Sequence, residues 1–290
     1  MSAMVLAEGP WAEALRRLRR NRSALLGAAV LVTVVLACLV GPPLLGLDAV
    51  VTAPEARNLP PSAAHWFGTD ALGRDVFARV LLGGRASLAV GSVATLVSVL
   101  VGVSYGMIAG FYGGKLDEVL MRFVDFLYGL PYMFIVILVM LLFSETARGQ
   151  MLPVFVALGL VQWLTMARIV RGQVLAVRQR EFVLAAELLG ASDARVLVRH
   201  VLPNITGVVI VYATLMVPSV IILESFLSFL GLGVALSWGQ LVSDGIAVVN
   251  PVRSYWWLLF WPAAFLGLTL LSLNFLGDGL RDALDPKSRE

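Results

Sequence analysis

The chain has 290 residues, of which 59% are hydrophobic and only 14% charged, with a formal net charge of +3 and a mean hydropathy of +0.87. A soluble domain keeps about a quarter of its residues charged, so the long apolar stretches here must face lipid. The single cysteine excludes an intrachain disulfide framework, and two histidines are too few for a typical zinc site, so no metal ligands are predicted.

The N-terminal segment, residues 1–23, is basic and precedes the first apolar stretch, residues 24–45. A basic head followed by an apolar run ending at Cys38 is also typical of a signal peptide or a lipoprotein site. The run continues past Cys38, however, and bulky Leu36 stands where a small residue is usual. We therefore predict an uncleaved first transmembrane helix.

Six uncharged stretches are long enough, or nearly so, to cross a hydrocarbon core that needs roughly 20 helical residues. They are residues 24–45, 86–112, 126–144, 151–167, 205–223 and 255–277. If the N-terminus is cytoplasmic, sixteen arginines and lysines fall on inner segments and six on outer ones. This bias predicts that both termini are cytoplasmic and explains the basic clusters without a nucleic-acid partner. The predicted fold is an all-helical, six-span membrane protein with a cytoplasmic tail at 281–290.

The first outer loop, residues 46–85, opens with proline-rich coil. Further on, apolar residues recur at helical spacing at Val76, Phe77, Val80 and Leu81. The pattern predicts a short amphipathic helix at the outer interface, with a solvated loop as the alternative.

Three glycines in the second predicted span are spaced by four: Gly102, Gly106 and Gly110. Small residues at this spacing lie on one helix face and let two helices approach closely in lipid. We predict an interhelical contact there, with either an internal helix or a second subunit as the partner.

The last inner loop, residues 168–203, predicts a helical hairpin. Its first helix carries an apolar stripe at i, i+3, i+4 and i+7, formed by Phe182, Ala185, Ala186 and Leu189. Gly190 supplies the left-handed position that ends a helix. Ser192 or Asp193 caps the next helix, and Pro203 is expected to break the chain near the membrane. A short helix of this kind is typical of a docking element.

This loop resembles the cytoplasmic signature of ABC-importer permeases, in which Glu-Ala-Ala precedes three residues, Gly, nine residues and Ile-x-Leu-Pro. The matching positions are Ala185, Ala186, Gly190, Leu202 and Pro203. Leu184 stands where the glutamate is usual and His200 where the isoleucine is usual; what these departures change is left open. The resemblance implies that this segment is a coupling helix that fits a groove on a nucleotide-binding subunit.

Further segments resemble oligopeptide and dipeptide permeases, and they lie at residues 65–75, 83–88, 166–173, 223–233 and 277–286. The resemblance covers nearly the whole chain and points to the second permease subunit of an oligopeptide importer. It implies a type I ABC importer permease fold, with a five-helix core at 86–280, in a bacterial inner membrane. It also implies a homologous second permease, two ATP-binding subunits and an extracytoplasmic peptide-binding protein as partners. A permease of the same family for dipeptides or another small substrate, for example nickel, is the alternative.

No phosphate-binding loop is present, because the one glycine-lysine pair, Gly114-Lys115, is followed by Leu116. We therefore predict no catalytic residue and no cofactor in this chain, with ATP and Mg²⁺ bound by partner subunits. The predicted spans also lack the chain of acids or histidines that proton-coupled carriers need, which disfavours a stand-alone secondary transporter. A non-transporting scaffold would not need the hairpin.

Two acidic residues, Glu224 and Asp125, lie near the ends of predicted spans. Glu224, at the outer end of the fifth span, is a candidate substrate contact or gate residue, although a capping or interfacial role is favoured. Asp125 lies one turn from Arg122, and an ordinary i,i+3 ion pair explains both.

Overall fold

The computed structural model describes residues 10–143, 151–248 and 254–284. The end of the third predicted span and most of the predicted tail at 281–290 lie outside the described residues. Within them, all regular structure is helical apart from one isolated bridge between Thr69 and Asp75, which confirms the all-α class. The helices are α1 (Pro10–Arg20), α2 (Arg22–Leu45), α3 (Val76–Tyr112), α4 (Gly114–Gly129), α5 (Tyr132–Leu142), α6 (Met151–Arg178), α7 (Glu181–Leu188), α8 (Asp193–Val196), α9 (Leu202–Phe229), α10 (Trp238–Ala247) and α11 (Trp256–Leu284), with a short 3₁₀ turn at Pro54–Ala56.

Five helical stretches are long and apolar enough to cross a membrane: α2, α3, α6, α11 and the continuous run Asp193–Phe229. Helices α4 and α5 pass the same test together but bend by 83° between them, so the described residues provide five spans, or six if the bent pair is one. The bend lies at Leu130 and Pro131. Proline pushes the preceding residue out of the helical region, and Leu130 has φ −85° and ψ 137°. The third predicted span is therefore not one straight helix.

The predicted interfacial helix at 76–81 is wrong, because these residues form the first turns of α3, a helix of 37 residues. The carboxylate of Asp75 caps this helix by accepting a hydrogen bond from the Ala78 amide at 3.0 Å. Val76, Val80 and Leu81 are buried in a cluster with residues of α2, α10 and α11. The apolar spacing thus reflects packing inside the protein rather than contact with the membrane interface.

The predicted chain break at Pro203 is also wrong. Five residues before α9, Leu197–Val201, form a π-type turn, and the helix continues through the proline. A wider turn shifts the hydrogen-bond register, so the missing proline amide interrupts no regular bond. Ser192 precedes α8 as its N-cap residue but makes no side-chain capping bond.

Helix α3 is the central element, and it packs against α2, α6 and α9. Two ends of the bundle can be distinguished. The elbow end carries α7, where α6 ends and α9 begins. The loop end carries residues 46–75 together with α10, a helix without a predicted counterpart. There Arg79 of α3 is paired with Asp70 at 2.7 Å and with Asp244 of α10 at 3.1 Å, which ties the loop and α10 to α3.

Candidate functional site

The elbow consists of α7 and the turn that follows it. Gly190 has φ 79°, which confirms the predicted left-handed residue. Its amide donates to the Glu187 carbonyl at 2.9 Å, and the Ala191 amide donates to the Ala186 carbonyl at 3.1 Å. These two bonds are those of a Schellman motif, in which the last helical carbonyls are satisfied by the residues just beyond the helix. The chain is thereby turned sharply from α7 into α8.

Helix α7 has one buried side and one apolar side that faces outward. Val183 is fully buried and Ala186 is only 9% exposed, whereas Leu188 and Leu189 are 89% and 88% exposed. Phe182 is 44% exposed. We call the outward side chains of Phe182, Ala185, Leu188 and Leu189 the elbow surface.

The predicted docking stripe is therefore split. Phe182, Ala185 and Leu189 lie outward as expected, whereas Ala186 is buried. It lies on the side of α7 that carries Val183, whose buried cluster includes Val174 of α6 and Val196 of α8. A helix of eight residues is not stable in isolation, so this buried side is needed to pack α7 against the bundle. Leu188 was not predicted as a docking residue, although two adjacent leucines directly before a turn glycine could have indicated an exposed apolar patch.

Behind the elbow, two ion pairs join α6 to α4. Arg171 donates to both carboxylate oxygens of Asp117, at 2.5 and 2.6 Å. One turn earlier, Arg168 donates to Asp125 at 2.6 Å. The interpretation of Asp125 as the partner of Arg122 is wrong, since Arg122 pairs with Glu118 at 2.6 Å. The i,i+4 neighbour on α4 satisfies Arg122, which leaves Asp125 to α6.

The glycine face of α3 lies against α6, and the two helices run parallel. A Cβ atom at Gly106 would lie 2.5 Å from the Ala167 carbonyl oxygen, and one at Gly102 would lie 2.6 Å from Cβ of Met166. At Gly110 the nearest atom would be the Arg171 carbonyl oxygen, at 2.9 Å. In the structure this face packs against an internal helix, a point that the glycine spacing left open.

A cavity of about 780 Å³ lies between α4, α5, α6 and α9. The bend between α4 and α5 forms part of its wall, where Leu130 and Tyr132 line it. None of the described residues that line it is charged; most are apolar or aromatic, and the polar groups are supplied by Tyr128, Gln162, Thr165 and Ser219, together with Tyr132 and Trp163.

Glu224 lies in the interior of α9 and is fully buried, so the favoured capping or interfacial role is wrong. Its carboxylate accepts hydrogen bonds from Ser228 at 2.6 Å and from Ser87 of α3 at 3.3 Å. Ser87 in turn accepts from the Trp238 amide of α10 at 3.2 Å. The glutamate therefore joins three helices near the loop end, and its neighbour Leu223 lines the cavity.

The two histidines lie in different parts of the molecule, one in the loop before α3 and one in the turn before α9. His65 lies 2.8 Å from a carboxylate oxygen of Asp75, and His200 lies in the π-type turn. Among the residues that the structure describes, no group of three or more histidine, cysteine and acidic side chains could hold a metal ion.

Comparisons with known proteins match almost the whole chain. Residues 102–290 match the family described as binding-protein-dependent transport system inner membrane component, and residues 9–61 match the N-terminal transmembrane domain of oligopeptide transport permease C. The dipeptide transport system permease protein DppC of Bacillus subtilis (strain 168) is 47% identical over 280 residues, which is 96% of this chain and 86% of the relative. The oligopeptide transport system permease protein OppC of Escherichia coli (strain K12) is 48% identical over 284 residues, 96% of this chain and 92% of the relative.

Proposed function

Because the chain belongs to the family of inner membrane components of binding-protein-dependent transport systems, we propose that it forms half of the pathway of an ATP-driven peptide importer. It is a multi-pass permease subunit of the inner membrane and not an enzyme. The observation that carries the peptide assignment is the near-complete similarity to relatives named for peptide transport, at 47% and 48% identity over 96% of this chain. Nickel is not favoured by these relatives.

The elbow surface is the proposed contact with an ATP-binding subunit. Leucine side chains that are 88–89% exposed lose water-contacting apolar area when a partner covers them. Burying such a side chain fully contributes about 1.5–3 kcal/mol. The Schellman turn at Gly190 and the buried pair Val183 and Ala186 hold the elbow surface in place before the partner arrives, which lowers the ordering cost of docking.

The elbow end is proposed to face the cytoplasm, in line with the excess of basic residues on the segments at that end. Two ATP-binding subunits would hold ATP and Mg²⁺, and a homologous second permease would supply the other half of the pathway. A peptide-binding protein would meet the loop end. When the ATP-binding subunits close, they would push α7, and α6 would carry the displacement as a rigid body.

The proposed pathway wall is the cavity between α4, α5, α6 and α9, whose described lining residues are uncharged. Apolar lining with a few hydroxyl and amide groups tolerates peptide side chains of different chemistry. Gln162, Thr165 and Ser219 offer hydrogen bonds to a peptide backbone, which every substrate shares. This combination favours peptides as a class over one defined sequence.

The test is uptake in the native host, with the gene deleted and then restored. We expect restoration to recover uptake of a labelled dipeptide, a tripeptide or both, without changing uptake of Ni²⁺. The complex purified through this chain should contain a second permease and ATP-binding subunits by mass spectrometry. Recovery of nickel uptake alone, or purification without any ATP-binding subunit, would overturn the proposal.

A further inference from the structure

We propose that Arg168 is the carboxylate subsite of the pathway, where the C-terminal carboxylate of a peptide is held at the elbow end of the cavity. The inference rests on the proposed peptide transport. A peptide carries an ammonium group and a carboxylate, whereas none of the described residues that line the cavity is charged. An unpaired carboxylate is costly in such surroundings, and a cation at an end of the cavity would stabilise it.

Arg168 lies where that cation is needed. Tyr128 and Thr165 line the cavity, and their hydroxyl oxygens are 2.5 Å apart. Arg168 is three residues beyond Thr165 on α6, towards the elbow end. Its Cζ atom is 3.9 Å from the centroid of the Tyr128 ring. Stacking on an aromatic face orients a guanidinium and leaves its edge free for hydrogen bonds. The guanidinium is therefore fixed beside the wall of the cavity.

The partner of Arg168 can be exchanged. Asp125 receives one hydrogen bond from Arg168, and the two side chains are 64% and 43% exposed. Arg171 and Asp117, one turn away, differ in both respects: two bonds join them, and the Asp117 side chain is only 12% exposed. An exposed pair with one bond is worth little, so another carboxylate can replace Asp125.

A peptide carboxylate offers more than Asp125 does. Two free oxygens can accept a bidentate pair of bonds from the guanidinium edge, which is the stronger geometry. Two neighbouring arginines on α4 and α6 are already paired, Arg171 with Asp117 and Arg122 with Glu118. As the peptide moves on towards the elbow end, Asp125 takes the guanidinium back. The exchange lets the carboxylate be held during passage without trapping the peptide.

The first experiment compares variants of the complete transporter, with its partner subunits and binding protein, in proteoliposomes. Uptake of a labelled tripeptide is measured against concentration. We expect Arg168→Gln to lower the uptake rate at limiting peptide by about tenfold, the effect of losing one charge-assisted interaction. Arg168→Lys keeps the positive charge but cannot donate two parallel hydrogen bonds, so its uptake rate should lie between those of Arg168→Gln and the wild type. The matched control is Arg122→Gln, which removes an arginine that is 77% exposed on α4 and should change uptake less than about twofold.

Asp125→Asn separates a subsite from a structural ion pair. Because it removes the competing carboxylate, the subsite predicts a KM for peptide that falls about two- to threefold. A purely structural pair predicts that Asp125→Asn and Arg168→Gln lower uptake equally. Equal losses, or normal uptake by Arg168→Gln, would overturn the inference while leaving peptide transport by the wild type intact. If the wild type takes up no peptide, the proposed function fails first.

A second measurement does not depend on uptake by the variants. A tripeptide with a photoreactive diazirine in its C-terminal side chain is irradiated during transport, and the labelled fragments are identified by mass spectrometry. We expect label on the fragments that contain Tyr128 or Thr165 in the wild type, and its loss in Arg168→Gln. A C-terminal probe that labels neither fragment in the wild type would overturn the assignment.

Discussion

Arg171 of α6 holds Asp117 of α4 by two parallel hydrogen bonds, from Nε to Oδ1 at 2.5 Å and from Nη2 to Oδ2 at 2.6 Å. The pair lies where α6 approaches the elbow, so it connects the segment that would receive a push to the bent α4–α5 wall of the cavity. A bidentate arginine–carboxylate pair has a defined geometry, so a displacement of α6 is expected to move α4 with it.

Asp117→Ala should lower the stability of the protein by about 1.5–3 kcal/mol, because it strands the charge-assisted bonds of Arg171. Thermal unfolding of the purified complex in detergent measures the change. The control is Glu118→Ala, which removes the exposed partner of Arg122 and should cost less than about 1 kcal/mol. Equal shifts in the two variants would contradict a structural role for the Arg171–Asp117 pair.

Gly190→Ala should reduce peptide uptake because an alanine in the left-handed region costs about 1–2 kcal/mol and redirects the chain after α7. Gly172→Ala is the matched control. A Cβ atom meets nothing within 4 Å at either position, and Gly172 lies inside helix α6. The two variants therefore differ in backbone conformation alone. Uptake rates and pull-down of the ATP-binding subunits are the readouts, and similar behaviour of both variants would remove the role given to the turn.

Leu188→Ser should weaken capture of the ATP-binding subunits without unfolding α7, because the side chain is 89% exposed before docking. We expect a loss of about 1.5–3 kcal/mol in docking free energy if the side chain becomes fully buried. Ala186→Asp should act differently, since it places a charge against the buried cluster of Val183 and disturbs α7 itself. Limited proteolysis distinguishes the two, with faster cleavage near α7 expected only for Ala186→Asp.

Gly106→Ala should destabilise the bundle, because the added Cβ would meet the Ala167 carbonyl oxygen at 2.5 Å and force α3 away from α6. Overpacking of this kind costs about 1–3 kcal/mol. Gly267→Ala in α11 is the control, since nothing lies within 4 Å of its added Cβ. A melting temperature that is lowered equally by both substitutions would show that α3 and α6 can separate freely.

Cysteines placed singly at Ser62 and Ser192 should react with a membrane-impermeant reagent from opposite sides of the membrane. Both positions are exposed, at the loop end and the elbow end respectively, and Cys38 is fully buried and gives little background. The distribution of arginine and lysine predicts that Ser192 is cytoplasmic. Labelling of both cysteines from the same side would overturn the assigned topology.

The sequence predicted the apolar spans because hydropathy follows directly from composition, and it predicted the turn at Gly190 because a signature residue carries the conformation. It did not predict where helices continue. The spacing of Val76 and Val80 is the same for a helix on the membrane surface and for one buried in the bundle, and only the tertiary contacts of α3 distinguish them. Pro203 was misjudged for a related reason, since a π-type turn absorbs the missing bond.

The cavity and its neighbouring arginine depend on contacts between distant residues, which hydropathy does not record. Asp125 and Arg168 are 43 residues apart, and a local i,i+3 partner was the simpler interpretation. Glu224 was placed at an interface because its helix was expected to end at residue 223, whereas α9 extends to Phe229. An error of six residues in a helix end was thus enough to place a buried carboxylate at the surface.

The parallel packing of α3 and α6 along Gly102, Gly106 and Gly110 has a further mechanical meaning. Because the two backbones approach closely at three successive turns, α3 and α6 act as one rigid unit. At the elbow end this helix pair adjoins α7. At the loop end Arg79 of α3 forms ion pairs with both Asp70 and Asp244. Thermodynamic linkage requires that such a connection work equally in both directions. Arrival of a loaded binding protein on one side of the membrane and closure of the ATP-binding subunits on the other would then bias the same displacement.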